Sequence, residues 1–376
     1  AQDLLANTMR GMLDRVKKRS PKFDEHIIED VIVGCLSQLG EQGANIGRVA
    51  TLLAGIPEEA CSCTVNQYCN SGLKAIQFGA QSIMVGNGDA VICSGVELMS
   101  HYGMGSDVMT AFQAQLPVRM TERMGDIGMA TPQGVCAEMV SEDEGHTRDQ
   151  LDRFGAWSMK KAVEATRKGW HAENTIPFTV KWEGNERSVT KDEVLRDKAA
   201  DDFEGFVADL GGLPTPFKPD GRVTAGNSSQ IVDGAAACLL MSADKAQELG
   251  LEPLCKIKSL AVAGGAPVPM LLAPIPTMHK ALKRAGLTID DMDVIEPNEA
   301  FATPCLAFAN AFGYAFDDPR VNPTGGAIAL GHPIGASGVM YFGEMVHHLK
   351  RTKGKYGIQT LCGGGGLGVA AVVEAV

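Results

Sequence analysis

The chain has 376 residues, enough for roughly two or three compact units, and its 45% of hydrophobic residues suits a globular core. Its formal net charge of -11 speaks against a general nucleic-acid or anionic-membrane partner, although one pocket can still be basic enough for an anionic small ligand. The ten cysteines form no CxxC pair, no histidine has zinc-finger spacing, and neither a signal peptide nor an apolar run of membrane-spanning length is visible, so the expectation is a soluble, cytoplasmic, metal-free protein with reduced thiols.

In chain order, residues 4–19 have helical spacing and end in a basic turn, as a helix C-terminus prefers. Residues 30–35 read as a short apolar strand, and 46–53 as a helix stopping at Gly55-Ile56-Pro57. Residues 63–67 read as a strand, followed by a turn through Cys69 and a helix over 73–85. Gly88-Asp89 then turns into a buried strand, 90–95. This alternation argues for α/β units. From about 101 to 223 the pattern loosens, with one amphipathic helix over 148–169, and the stretch reads as an inserted lid or loop domain. Regular structure returns as a buried strand at 233–241, a helix at 243–249, a strand at 256–263, a helix at 275–285 and a strand end at 293–296.

An internal repeat is visible. Cys69-Asn70-Ser71-Gly72, a helix, Gly88-Asp89 and the strand 90–97 parallel Gly335-Ala336-Ser337-Gly338, a helix to Lys350, Gly354 and the strand 357–366. Two similar α/β halves packed around one site are expected.

Four places carry chemistry. Cys69 sits between a strand and a helix start, where unpaired N–H groups and the helix dipole are expected to lower a thiol pKa and the turn to expose the side chain. The competing reading is a buried structural cysteine. His332 is framed by Gly325-Gly326 and Gly331-His332-Pro333, glycines that permit close backbone approach, and histidine is a natural proton acceptor for a thiol. Cys362 precedes four glycines, useful where main-chain N–H groups converge on an oxyanion; a flexible glycine turn is the alternative. Asn298-Glu299-Ala300-Phe301 follows a strand end, a place suited to holding a water or a substrate oxygen.

These blocks together resemble the thiolase family. Thr64-Val65-Asn66, Cys69 with Ser71-Gly72, and the segment 95–100 resemble its first block; residues 224–229 with Asp233-Gly234-Ala235-Ala236 resemble its second; Asn298-Glu299-Ala300-Phe301, Gly325-Gly326, Gly331-His332-Pro333 and Cys362 complete the set. The resemblance covers almost the whole chain. It implies an α/β fold of two similar halves, with helices packed between and around two mixed sheets: residues 1–105 with 224–252, and residues 253–376, plus a loop domain at 106–223 that binds coenzyme A. It implies that Cys69 is the acylated nucleophile, His332 its activator and Cys362 the general acid/base. On the same resemblance Asn298 would hold a water that forms one oxyanion hole with His332, and the N–H groups of Cys69 and Gly364 would form the second. Ser229 matches a contact to the pantetheine arm and Arg196 a contact to the nucleotide. Coenzyme A and acyl-CoA are then substrates, with no tightly bound cofactor, and a homodimer or homotetramer is expected.

The implied reaction is acyl transfer between coenzyme A and acetyl-CoA in fatty-acid or related acyl-CoA degradation. The alternatives are an acetyl-CoA C-acetyltransferase making acetoacetyl-CoA, a ketoacyl synthase, and a non-catalytic acyl-CoA or lipid binder. Two departures matter. The stretch 132–138 lacks the histidine of the His-Met-Gly segment common in short-chain biosynthetic members. The family's opening strand, which lies inside the first sheet, is missing, so further residues before Ala1 are expected in the natural protein. Methionines 99, 104, 109, 120, 124, 129 and 139 either line an adaptable acyl pocket or pack the core and lid.

Overall fold

The computed structural model describes residues 1–114, 125–128, 131–182 and 184–376. The chain opens with α1 (Gln2–Arg19), β1 (Ile28–Gly34), α2 (Ile46–Leu53), β2 (Cys61–Val65), α3 (Ser71–Met84) and β3 (Ala90–Leu98). The middle holds α4 (Ser106–Gln113), α5 (Gln133–Asp143), α6 (Arg148–Arg167), the hairpin of β4 (Phe178–Trp182) and β5 (Asn185–Val189), α7 (Lys198–Asp201) and α8 (Phe203–Gly211). Then come β6 (Asp233–Met241), α9 (Ala243–Glu248), β7 (Cys255–Gly264), α10 (Pro274–Ala285), β8 (Val294–Pro297), α11 (Ala302–Phe312), α12 (Ala327–Leu330), α13 (Ser337–Thr352), β9 (Tyr356–Gly363) and β10 (Leu367–Ala375).

Two mixed sheets form. The first has the order β2-β1-β3-β6, with β6 antiparallel to β3; the second has the order β7-β10-β9-β8, with β10 antiparallel to both its neighbours. β3 and β9 play matching parts, as the repeat requires. β3 is buried along its whole length, because it lies in the interior of its sheet with helices on both faces. β6 is half-buried, not the buried strand expected from its composition. Its counterpart β10 is flanked by β7, whereas β6 has β3 as its one strand neighbour among the described residues.

The layers follow from the apolar faces. α1 and α2 cover the outer face of the first sheet through Leu5, Met9, Leu13, Ile46 and Ala50. α10 covers the outer face of the second through Met278, Ala281 and Leu282. Between the sheets lie α3 and α13, packed on each other through Leu73, Ile76, Val339, Phe342 and Met345. Their first turns meet: a Cβ on Gly338 would lie 2.1 Å from the Leu73 nitrogen, and one on Gly72 would lie 2.9 Å from Gly335 O. Only glycine allows that approach, which brings the two repeat turns to one place.

The middle segment is more regular than expected. Besides α6, which carries a capping box at Thr147 and Gln150, it holds α5, α8 and the β4–β5 hairpin. It is fastened to the second half: Lys161 Nζ donates to Val321 O (2.7 Å) and Ser158 Oγ to Glu299 Oε2 (2.5 Å). Met99 is buried, Met104, Met109 and Met139 are exposed, and Met120, Met124 and Met129 lie outside the described residues. Among the described residues, no helix is long and apolar enough to cross a membrane. All ten cysteines are free thiols.

Candidate active site

β2 delivers the chain to a tight turn before α3, and Cys69 sits in that turn. Tyr68 takes the left-handed conformation (φ 53°), which its side chain disfavours. The turn is held from both sides. Asn66 Oδ1 accepts the Tyr68 N–H (2.9 Å), while Ser71 Oγ accepts the Gln67 N–H (2.9 Å) and donates to Tyr68 O (2.5 Å). Cys69 is 4% exposed and packs against Met99 and Ile334. Burial pushes its thiol up to about 12; its own N–H and the Gln133 side chain favour the thiolate, and the charge of Glu97 opposes it. The helix-start position therefore neither exposes the sulfur nor lowers its pKa. Desolvation outweighs these hydrogen bonds, because a thiolate in an apolar cluster loses its hydration.

His332 follows α12 through Gly331, whose φ of 94° and close approach to Val232 exclude a side chain there. The Tyr341 hydroxyl donates to Gly331 O (2.5 Å), and the His332 N–H donates to Gln230 O (3.0 Å). Ser337 Oγ donates to Pro333 O (2.9 Å) and lies 2.6 Å from His332 Nδ1. With its one proton committed to Pro333, the hydroxyl accepts from Nδ1–H, which leaves Nε2 as the basic nitrogen. Burial lowers the imidazole to about 4.

Asn298 extends from β8, its N–H on Thr360 O (2.9 Å) and its O accepting from the Cys305 thiol (3.7 Å). Its Nδ2 lies 3.4 Å from His332 Nε2, and its Oδ1 is buried with no partner among the described residues. A buried acceptor of this kind is where a bridging water binds. Next to it, Glu299 accepts from Ser158 Oγ, Asn322 Nδ2 (2.6 Å) and the Ile328 N–H (3.1 Å), tying Asn298 to α6 and to the loop leading to His332.

Cys362 lies near the end of β9, 3% exposed, beside Phe301, Ala300 and Met270. Burial is the main cause raising its thiol, and Cys69 is the second. The four glycines divide their work. Gly365 (φ 74°) and Gly366 (φ 81°) make the turn into β10, as the competing reading held. Gly363 and Gly364 lie against the nucleophile turn: a Cβ on Gly363 would lie 2.8 Å from the Asn70 amide, and one on Gly364 3.2 Å from the Tyr68 ring. With its amide turned so that nitrogen faces carbonyls, Asn70 donates to Leu361 O (3.0 Å) and Cys362 O (3.2 Å).

Asn298 and His332 thus face each other at 3.4 Å, Cys69 packs on Ile334 two residues beyond His332, and the Cys362 thiol feels the charge of Cys69, so the four lie around the junction of α3, α13, β8 and β9. Ser229 is bound to the same wall, its N–H on Ala300 O (3.0 Å). Arg196 is exposed on the middle segment, its guanidinium folded onto Val194 O and Leu195 O (2.8 and 3.2 Å), and shares no contact with the others. Four contributors were not singled out in the sequence: Ser337, Asn70, Gln133 and Glu97. Ser337 was findable, since it matches Ser71 in the repeat and both hydroxyls bond the turn before their helix.

Two buried thiols, an imidazole and an orphan amide oxygen at the junction of two like halves are the kinds of group that acyl-thioester chemistry uses. The model of the N-terminal thiolase domain matches residues 1–244 and that of the C-terminal thiolase domain residues 251–375. A 3-ketoacyl-CoA thiolase of Idiomarina loihiensis is 42% identical over 380 residues, covering 100% of this chain and 93% of that protein. One of Alcanivorax borkumensis is 40% identical over 373 residues, covering 97% and 90%. The 3-oxoadipyl-CoA/3-oxo-5,6-dehydrosuberyl-CoA thiolase of Escherichia coli is 40% identical over 391 residues, covering 100% and 94%. The chain belongs to the thiolase family, and it is an acyltransferase with thiolase activity in acyl-CoA metabolism.

Proposed function

We propose that this chain is a 3-ketoacyl-CoA thiolase that works mainly in cleavage, with Cys69 as nucleophile and Cys362 as acid/base. The carrying observation is the convergence of Cys69, His332, Asn298 and Cys362 on one buried junction. The Cys69 thiol near 12 and the imidazole near 4 make the neutral pair the resting state, so the proton passes to His332 Nε2 as sulfur bonds to carbon. Sulfur attacks the 3-keto carbon, and the bond between C2 and C3 then breaks. Its electron pair forms the enolate of acetyl-CoA, which takes a proton from Cys362. Coenzyme A next gives its thiol proton to the Cys362 thiolate and attacks the acyl-Cys69 thioester; the bond from the acyl carbon to the Cys69 sulfur breaks, acyl-CoA leaves, and the sulfur takes back the proton held on His332. A water on Asn298 with His332 supports one oxyanion, and the N–H groups of Cys69 and Gly364 the other.

Coenzyme A is a substrate here, held by the loop domain at 106–223, with Ser229 against the pantetheine arm and Arg196 at the nucleotide. Pro132-Gln133 in place of a His-Met pair supports a longer-chain substrate than acetoacetyl-CoA, within fatty-acid or related degradation. A homodimer or homotetramer in the cytoplasm completes the reading, supported by the free thiols and by the family resemblance. Thiolysis rates with 3-ketoacyl-CoA substrates of increasing length test it. Turnover that extends beyond acetoacetyl-CoA is expected; reaction with acetoacetyl-CoA alone would make the chain an acetyl-CoA C-acetyltransferase.

A further inference from the structure

Glu97 is the penultimate residue of β3, its side chain fully buried, and no cation pairs with it among the described residues. Four N–H groups donate to it instead. Oε2 accepts from Leu36 N (2.9 Å) and Gly335 N (3.0 Å); Oε1 accepts from Ser37 N (3.0 Å) and Gln42 Nε2 (3.0 Å). A buried carboxylate is tolerable only when its lone pairs are taken up in this way.

The donors come from both halves. Gly335 lies three residues beyond His332, in the turn that feeds α13. Its carbonyl is enclosed by the first half as well: a Cβ would come within 2.7 Å of Gly335 O from Gly34, 2.9 Å from Gly72 and 2.2 Å from Gly95. Leu36 begins a relay in the other direction. Its O accepts from Asn66 Nδ2 (3.1 Å), and Asn66 Oδ1 accepts the N–H of Tyr68, the left-handed residue before Cys69.

We infer that Glu97 is a positioning residue for acyl transfer: it fixes the His332 turn of the second half against the Cys69 turn of the first. This rests on the assignment of Cys69 and His332 proposed above. The carboxylate is specific. A glutamine of the same shape has one oxygen, so in either orientation its NH2 faces two of the four N–H donors. Aspartate keeps both oxygens but is one methylene too short to reach both turns.

Three variants test this: Glu97→Gln, Glu97→Asp and Asn66→Ala, which breaks the relay at an exposed residue. Thiolysis kinetics, melting temperature and acylation of Cys69 by isotopically labelled acetyl-CoA are measured for each and for the parent. Displacing the pair predicts kcat about 100-fold lower in Glu97→Gln with KM nearly unchanged, since misplacement by about 1 Å carries a penalty of that order. Glu97→Asp falls between it and the parent, and Asn66→Ala loses about tenfold with its melting temperature unchanged. A folded Glu97→Gln with parental kcat overturns the inference; if that variant does not fold, parental kcat in Asn66→Ala overturns it. A parent that takes no label on Cys69 refutes the assignment of the nucleophile instead, so the two failures are distinguishable.

Discussion

Ser337 Oγ lies 2.6 Å from Nδ1 of His332 and directs its own proton to Pro333 O. That pairing sets which imidazole nitrogen is basic, and it aims the ring at Asn298. Ser337→Ala removes the acceptor and leaves the buried Nδ1 without a partner. Steady-state kinetics should show kcat lower on the order of 100-fold at similar KM, from lost orientation of the base. Undiminished kcat would mean that Asn298 alone orients the ring.

The contact between Gly338 and Leu73 makes a stability prediction. A methyl on Gly338 meets main-chain atoms, which have no rotamer to escape into. Gly338→Ala should destabilise the fold by about 3 kcal/mol, at the upper end for overpacking. Thermal unfolding followed by circular dichroism reads this. Because Cys69 and His332 lie in the segments that lead into these first turns, residual folded enzyme should also be less active.

Acylation chemistry and proton chemistry separate at Cys362. In Cys362→Ala, Cys69, His332 and Asn298 are untouched, so acetyl transfer from acetyl-CoA to Cys69 should persist. Thiolysis and condensation should fall by about 10³-fold or more, the scale of general acid/base catalysis. Rapid-quench measurement of the labelled acyl-enzyme checks both halves in one sample.

The raised thiol has a pH consequence. The Cys69 pKa stands at about 12 in the free enzyme, above its ordinary 9.0, so the thiolate fraction increases tenfold per pH unit through the neutral and mildly alkaline range. Alkylation of the Cys69 peptide by iodoacetamide, followed by mass spectrometry, should therefore keep rising from pH 7 to about pH 10. A plateau below pH 8 would reveal a preformed thiolate–imidazolium pair. The base should be robust to acid: with His332 at about 4, the histidine limb of kcat/KM should lie well below its ordinary 6.5.

The sequence carried much of this. The two like halves were legible because Ser71-Gly72 and Ser337-Gly338 repeat the same helix start, and those glycines proved to be the point of contact. Cys69, His332, Asn298 and Cys362 stood out as candidates because glycine frames and strand ends mark places where backbone can approach a ligand. The direction of the Cys69 shift was not legible, since desolvation depends on Met99 and Ile334, which the fold brings in from distant segments. The regularity of the middle segment is hidden for a similar reason. α5 buries small and polar residues, among them Cys136, Ala137 and Glu138, and Glu138 accepts the N–H groups of Arg222 and Val223. Such a face has no apolar period to detect. Glu97 was invisible as an anchor because its donors are main-chain groups, which carry no sequence signature.

The most direct test of the account is the fate of the acyl group. The protein is mixed with isotopically labelled acetyl-CoA, quenched in acid and digested, and all ten cysteine-containing sites are followed by mass spectrometry. The account predicts one acetyl group, on Cys69, absent from Cys69→Ala and released by added coenzyme A. Label on Cys362, or no covalent label at all, would contradict it.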